Sequence, residues 1–366
     1  MVKFIHTADW QIGETFRFFG ERSLYLKDAR HAAVERIAQL AVDERVDFVL
    51  VAGDVFEFAR PDRVSLQRLA RAMERFEGPW LLLPGNHDAA VPHGIWDQLA
   101  DGSIFGPGVV LMTTPSPILL DSCATAVLPA PLQARYAGRD LTEDLDRMET
   151  PSGYVRVGVA HGAVKGILPE MAEANNPIAS DRARQASLDY LALGDWHGFY
   201  RINERTYYSG TPETDRFTHN DSGSVAVVEI AAQGALPAVS LHRTTRFDWH
   251  EQTVTLGSQT DLARLEQELQ RFNATDVVKL SIRGYVDLED LEALNRLEEV
   301  MRARVQALDW DVSEVEISPT DDEIASLALA GVHGFVLSRL LERRDAIDAR
   351  VFRRAVLELL ALDEVH

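Results

Sequence analysis

Small groups of carboxylates, carboxamides and imidazoles follow directly on short apolar runs in this chain. Asp9 and Gln11 follow the run at 2–6, in His6-Thr7-Ala8-Asp9-Trp10-Gln11. Asp54 follows 48–52 in Ala52-Gly53-Asp54, and Asn86, His87 and Asp88 follow 80–83 in Pro84-Gly85-Asn86-His87-Asp88. His161 follows 155–160, and Asp195 and His197 follow 190–193 in Gly194-Asp195-Trp196-His197-Gly198. Each group alone has an ordinary explanation. An Asp after a strand caps a turn or helix, Gly-Asn-His-Asp can form an Asx-type turn, and His161 can be a satisfied core histidine. Asp195 and His197 stand at i and i+2, so on an extended segment they point to one side. Taken together, oxygen and nitrogen donors behind five apolar runs suit divalent cations. Open α/β sheets bind ligands at the carboxyl ends of their strands, which predicts that all five groups share one site.

The elements that would carry these residues alternate. Strands are expected at 2–6, 48–52, 80–83, 124–128, 155–160, 190–193, 206–208 and 225–230. Helices are expected at 26–45 and 61–77. The second helix places Val64, Leu66, Leu69, Ala70, Met73 and Phe76 roughly on one face, with Asp62 suited to its N-terminus. Strands alternating with helices predict α/β layering. The stretch 233–237 reads as a hairpin or linker, and the texture changes near 240. Strands at 253–256, 277–282 and 311–317 and helices at 261–272 and 288–307 then read as a small α+β module. Ser318-Pro319-Thr320 marks a break, and 321–366 reads as mostly helical. A chain of 366 residues suits two or three domains, placed here at 1–240, 241–318 and 319–366.

The composition, 46% hydrophobic and 26% charged, is that of an ordinary soluble globular protein. The formal net charge of −20 argues against a broadly basic surface for nucleic acid or anionic membrane. It leaves room for a local basic groove or for contacts through bound cations. Cys123 is the single cysteine, so no intrachain disulfide forms, and it reads as a buried strand-edge thiol. The N-terminus passes straight into a strand-like run without a long apolar leader. No stretch reaches the ~18 apolar residues of a membrane span, so the expected compartment is the cytoplasm.

The order of the polar groups resembles the calcineurin-like metallophosphoesterase superfamily, whose pattern runs Asp-x-His, Gly-Asp, Gly-Asn-His-Asp/Glu, His and Gly-His-x-His. More narrowly, the chain resembles SbcD-type DNA repair exonucleases, the nuclease subunit of SbcCD-like complexes. That resemblance rests on Phe4-Ile5-His6-Thr7-Ala8-Asp9, Val51-Ala52-Gly53-Asp54-Val55-Phe56 and Pro84-Gly85-Asn86-His87-Asp88. Leu191-Ala192-Leu193-Gly194 and Tyr208-Ser209-Gly210-Thr211-Pro212-Glu213 extend it. It covers roughly 1–240, while 241–318 matches in kind as a small capping domain.

The resemblance implies a layered α/β core of two β-sheets flanked by helices, a small α+β capping domain and C-terminal helices. It implies two divalent metal ions, manganese foremost, with magnesium, iron or zinc as alternatives, activating water against a phosphodiester. By motif position Asp9, Gln11, Asp54 and His197 surround the first metal. Asp54, Asn86, His161 and Asp195 surround the second, with Asp54 bridging. His87 stabilises charge and protonates the leaving oxygen, and Asp88 orients it.

Two positions depart from the pattern. Gln11 stands where the pattern has His, and Asp195 where it has the first His of Gly-His-x-His. A carboxamide oxygen is a weak neutral ligand and a carboxylate a hard anionic one, so metal binding is expected with an altered balance between the two sites. The partners implied are DNA, an SbcC-type ATPase and a second copy of the chain, with no membrane. The ATPase would dock on the C-terminal helices, where Phe335, Leu337, Leu340, Leu341, Val351, Phe352, Val356, Leu359 and Leu360 give apolar faces. Packing of those helices on their own protein is the alternative. A phosphodiesterase or phosphatase for small nucleotides, and a scaffold protein with a weak metal site, are the competing functions. Among other residues, His93, Arg60, Arg63 and Arg135 are candidates for substrate contact. Trp10 and Trp196 are expected to pack under the loops, and the roles of Arg216 and His219 stay open.

Overall fold

The computed structural model describes residues 1–58, 60–166, 176–257, 259–326 and 331–363. The chain divides into two compact units, Met1–Asp248 and Trp249–His366. Fourteen strands build the first: β1 (Val2–Thr7), β2 (Phe48–Val51), β3 (Trp80–Leu82), β4 (Val109–Leu111), β5 (Ile118–Leu120), β6 (Thr125–Ala130), β7 (Val155–His161), β8 (Ala163–Val164), β9 (Pro177–Ile178), β10 (Tyr190–Gly194), β11 (Tyr200–Arg201), β12 (Thr206–Tyr208), β13 (Ser224–Ile230) and β14 (Ala238–Arg243). They form one sheet of order β14-β13-β1-β2-β3-β4 and a second of order β11-β12-β10-β7-β6-β5, with β8 and β9 paired separately. β1 to β4 run parallel, as do β6, β7, β10 and β12. The strands that precede the polar groups therefore run alike within each sheet.

The apolar runs are continuous because both faces of each strand are covered. Successive side chains point to opposite faces. Ile5, Val49 and Val51 turn toward α1 (Ser23–Asp43) and α2 (Arg63–Met73). Phe4, Phe48 and Leu50 turn inward to meet Val157, Val159, Tyr190 and Ala192 of the second sheet. The helix expected from 61 starts at Arg63 because Asp62 is its N-cap, its carboxylate accepting from the Ser65 N–H at 2.9 Å. This satisfies one of the donors left free at a helix start. The stretch 233–237 is a hairpin, since β13 and β14 pair antiparallel across it. Residues 238–243 are thus an edge strand of the first sheet, and the unit closes after Asp248.

The second unit holds the sheet β15 (Asp248–Leu256), β16 (Asp276–Val286) and β17 (Ala307–Ile317), in that order. With α5 (Gln259–Leu269) and α6 (Leu288–Arg304) it buries Leu265, Leu269, Val278, Leu280, Leu294 and Met301. Asp287 caps α6 through the Asp290 N–H. Then come α7 (Asp321–Ser326), α8 (Gly331–Glu342) and α9 (Ala349–Asp363). Their apolar faces close partly on one another through Ile324, Leu337, Phe352, Val356 and Leu359, with Leu340 and Leu341 against them. Phe335 and Val351 stay exposed, and the Leu360 side chain lies outside the described residues. Among the described residues no helix is long and apolar enough to cross a membrane.

Candidate metal centre

The loops after the strands bend sharply to turn their side chains to one place. Asp9, Gln11, Asp54 and Asp195 all adopt positive φ, at 54°, 42°, 50° and 104°. Such angles are uncommon outside glycine, and they persist only where the surroundings overdetermine them. Here the loop after β1 is tied to the loop after β2. The Asp9 N–H donates to the Gly53 carbonyl at 3.0 Å and the Gln11 N–H to that of Asp54 at 2.9 Å. The Thr211 hydroxyl donates to the Asp9 carbonyl at 2.8 Å. Two glycines keep room for the side chains. A Cβ on Gly53 would stand 2.2 Å from His161 Nδ1, and one on Gly85 would stand 2.1 Å from Asp54 Oδ1.

Two imidazoles organise the cluster. His161 donates from Nδ1 to the Ala52 carbonyl at 2.9 Å. A carbonyl only accepts, so Nδ1 carries the proton and Nε2 presents its lone pair. That Nε2 faces Asn86 Oδ1 at 2.7 Å, Asp54 Oδ2 at 3.5 Å and Asp195 Oδ1 at 3.8 Å. A lone pair ringed by acceptor oxygens is reconciled by a cation or a further proton. His197 repeats the plan with another anchor, Nδ1 donating to Asp215 Oδ2 at 2.8 Å. Its Nε2 lies 3.4 Å from Gln11 Nε2. The Asp195 N–H donates to Asp9 Oδ1 at 3.1 Å, joining the two halves. A cavity of about 530 Å³ opens over them, lined among others by Gln11, Asp54, His87, Asp195 and His197.

The charges are strongly coupled. Burial first, then the neighbouring Asp54 and Asp195, push Asp9 up to about 6, against the pull of both histidines. Burial also raises Asp195. Asp54 is driven up by burial too, but His161 and His87 beside it outweigh this and hold it below its ordinary value. Burial opposes a charged His161, yet Asp54, Asp9 and Asp195 together lift it well above the usual range. So much carboxylate in so little solvent calls for positive charge. One donor atom each of Asp9, Asp54 and His161 lie within 4.8 Å of one another, the described residues' candidate metal group. The donor set and the two fixed tautomers suit a hard divalent cation.

His87 lines the cavity with Nε2 4.0 Å from Asp54 Oδ2. Asp88 is the support expected for it. Asp88 is fully buried and accepts from the Gly85 N–H at 2.6 Å and the Phe56 N–H at 3.0 Å, bracing the loops after β2 and β3. Each of its oxygens thus accepts from a backbone amide. The group that faces His87 Nδ1 is Glu57, with Oε1 at 3.3 Å and its carbonyl at 3.3 Å. The Glu57 contact, with the Asp54 and Glu57 charges, raises His87 to about 9 against burial. Burial, then Asp54, raises Asp88 to about 7.

Sequence reading passed over Glu57, Asp215 and Arg30. Asp215 receives Arg30 at 3.0 Å on Oδ2 and Arg216 at 3.0 Å on Oδ1, besides His197. Glu57 stands three residues after Asp54, and Asp215 one before the singled-out Arg216, and that nearness was the sole local signal. Trp10 is buried and donates to Thr7 Oγ1, and Trp196 packs on the second sheet's outer core. Arg60, Arg63, Arg135, His93 and His219 are exposed and stand apart from the cavity lining.

A family model described as calcineurin-like phosphoesterase matches residues 2–228. The chain is similar to a DNA double-strand break repair protein Mre11 of Methanosarcina acetivorans, 23% identical over 404 residues, covering 99% of this chain and 61% of that one. It is similar to an Mre11 protein of Haloferax volcanii, 26% identical over 296 residues, covering 78% and 62%. A shorter likeness, to an SbcCD nuclease component of Rhodobacter capsulatus, is 34% identical over 95 residues, 24% and 22% of the two chains. The chain thus spans less than two thirds of the length of each of these relatives. With its sheets, its strand-end donors and its match over residues 2–228, the chain belongs to the calcineurin-like phosphoesterase family.

Proposed function

We propose that the chain is a divalent-metal-dependent phosphodiester hydrolase acting on DNA, an exonuclease or endonuclease of SbcD type. One observation carries the choice of DNA. The likeness to a break-repair protein extends over 99% of the chain, past the family match that ends at residue 228 and through the second unit. Asp9, Gln11, Asp54 and His197 would hold one ion, and Asp54, Asn86, His161 and Asp195 the other, manganese being the first choice. Divalent ions there supply Lewis-acid stabilisation of phosphoryl charge and a lowered pKa for water. The Ala52 carbonyl and Asp215 hold the two ligand imidazoles in the tautomer that leaves Nε2 free. Glu57 holds the Nδ1 proton of His87, so that Nε2 is the atom that hands a proton to the leaving oxygen. Asp88 keeps the His87 turn against the Asp54 loop.

We further assign DNA, an SbcC-type ATPase docking on α8 and α9 and a second copy of the chain as partners, in the cytoplasm. The test is release from end-labelled single- and double-stranded DNA with Mn²⁺, beside bis-p-nitrophenyl phosphate, with Asp54→Ala as control. DNA cleavage lost in the control is the expected result. Hydrolysis of the small diester alone, unchanged when the ATPase is added, would move the reading to a small-nucleotide phosphodiesterase.

A further inference from the structure

The two imidazoles look alike from Nδ1 and differ at Nε2. His161 Nε2 faces three oxygens, those of Asn86, Asp54 and Asp195. His197 Nε2 faces nitrogen donors, Gln11 Nε2 at 3.4 Å and Arg216 Nη2 at 3.4 Å. The Gln11 carboxamide can turn its oxygen round, because its two ends are nearly the same shape. The guanidinium has no acceptor to offer and cannot lose its charge. Arg216 Nη2 also lies 2.7 Å from His197 Nδ1 and 3.3 Å from Asp215 Oδ2, so it lies against the ring that a cation would use.

Charge points the same way. Behind His197, one carboxylate, Asp215, is shared by two guanidiniums, Arg30 and Arg216. Arg216 thus sets a fixed positive charge against the His197 ring, where His161 Nε2 has only carboxylates and a carboxamide around it. Arg30 is locked, its side chain 2% exposed and its other guanidinium nitrogen donating to the Trp10 carbonyl at 2.8 Å. Arg216 is the movable one, with a side chain 49% exposed at the rim of the cavity.

We propose that Arg216 is the resident cation of the His197 half, so that the centre loads one divalent ion tightly beside His161 and a second only weakly, when Arg216 swings out. This rests on the metal-centre reading above. The neutral Gln11 fits it, since a site that already holds a fixed positive charge gains little from a strong ligand. Displacing a unit charge a few ångström away in a solvent-reaching site is worth at least about tenfold in affinity for a divalent ion.

The test is calorimetric titration of the metal-stripped full chain with Mn²⁺, with bound metal counted by mass spectrometry after dialysis. The wild-type chain is expected to bind one equivalent tightly and a second at least about tenfold more weakly. Arg216→Ala should bring the second equivalent up by about that factor, and Arg216→Lys should keep the gap by keeping the charge. Two equivalents of indistinguishable affinity in the wild type, or an unchanged gap in Arg216→Ala, would overturn the role of Arg216 while leaving the metal centre standing. Absence of Mn²⁺ binding in all three proteins would overturn the metal centre itself, and this inference with it.

Discussion

Of the four histidines buried among the described residues, His6, His161 and His197 stand on or just after strands of the two sheets, and they are built for different ends. His6 has both ring nitrogens answered by the protein, Nδ1 by the Tyr190 hydroxyl at 3.0 Å and Nε2 by the Leu193 carbonyl at 3.2 Å. His161 has one nitrogen answered by a backbone carbonyl and the other turned to oxygens. His197 has one answered by a carboxylate that two arginines share. Burial therefore does not define a ligand histidine. What the second nitrogen faces does: a matched carbonyl at His6, acceptor oxygens at His161, and at His197 nitrogen donors that a cation would have to displace. The same contrast separates the halves of the centre. A carbonyl anchor is neutral and comes with the fold, whereas an Asp215 anchor brings charge, and the charge brings guanidiniums.

The hardest break is at the His161 half. Gly53→Ala puts a Cβ where Nδ1 of His161 stands and forces a side chain onto a φ of 94°. Mn²⁺ binding and phosphodiester turnover should both be lost, with stability down by about 1–3 kcal/mol from the strained backbone. Normal metal uptake by a folded Gly53→Ala chain would show that the close approach is not needed. Next, His87→Gln should leave Mn²⁺ uptake intact and lower turnover by about 10²–10⁴-fold, the usual worth of a positioned proton donor. An equal loss of metal would make His87 a ligand instead.

At the other half the effect should be smaller. Asp215→Asn removes the acceptor charge behind His197 and should weaken the second Mn²⁺ equivalent by about 10–100-fold, as loss of a ligand's outer partner does elsewhere. The first equivalent should not move. If the first equivalent weakens too, the halves are one coupled site and the contrast between anchors fails.

An effect on stability rather than on metal or turnover belongs to His6, which burial holds down at about 3 despite the Leu193 carbonyl. Its folded value lies below the ordinary 6.5, so the unfolded chain takes up the proton first as pH falls. The stability it contributes is complete above 6.5 and declines between 6.5 and about 3, by about 1.4 kcal/mol per pH unit. The fall of stability with pH across that window should be shallower in His6→Gln than in wild type by that slope, read from melting curves. Equal slopes would mean that other groups carry the acid loss.

The strands and the order of the donors were legible because the apolar runs are short and the polar groups interrupt them. Phe48–Val51 is buried throughout and ends shortly before Asp54. Asn86 and His161 could be paired from the motif order, although they meet across |i−j| = 75. Glu57, whose carboxylate stands 3.3 Å from His87 Nδ1, was not legible. Nothing in Val55-Phe56-Glu57 marks it until the loop after β2 folds over the turn at His87. The same holds for Arg30 and Asp215, which meet across |i−j| = 185. Arg30 sits inside the regular pattern of α1 and reads there as one more helix residue.

Residue order alone dictated which strands form, that their ends carry oxygen and nitrogen donors, and that Gln11 and Asp195 shift the donor set toward oxygen. These follow from local pattern, because burial period and ligand chemistry are properties of the residues in order. Which nitrogen of each histidine is free, which carboxylate faces His87 and where the Arg216 charge sits emerged only once the chain was folded. Those depend on contacts between strand-end loops and helices far apart in the chain, and a charge is set by every neighbour within a few ångström rather than by its neighbours in sequence.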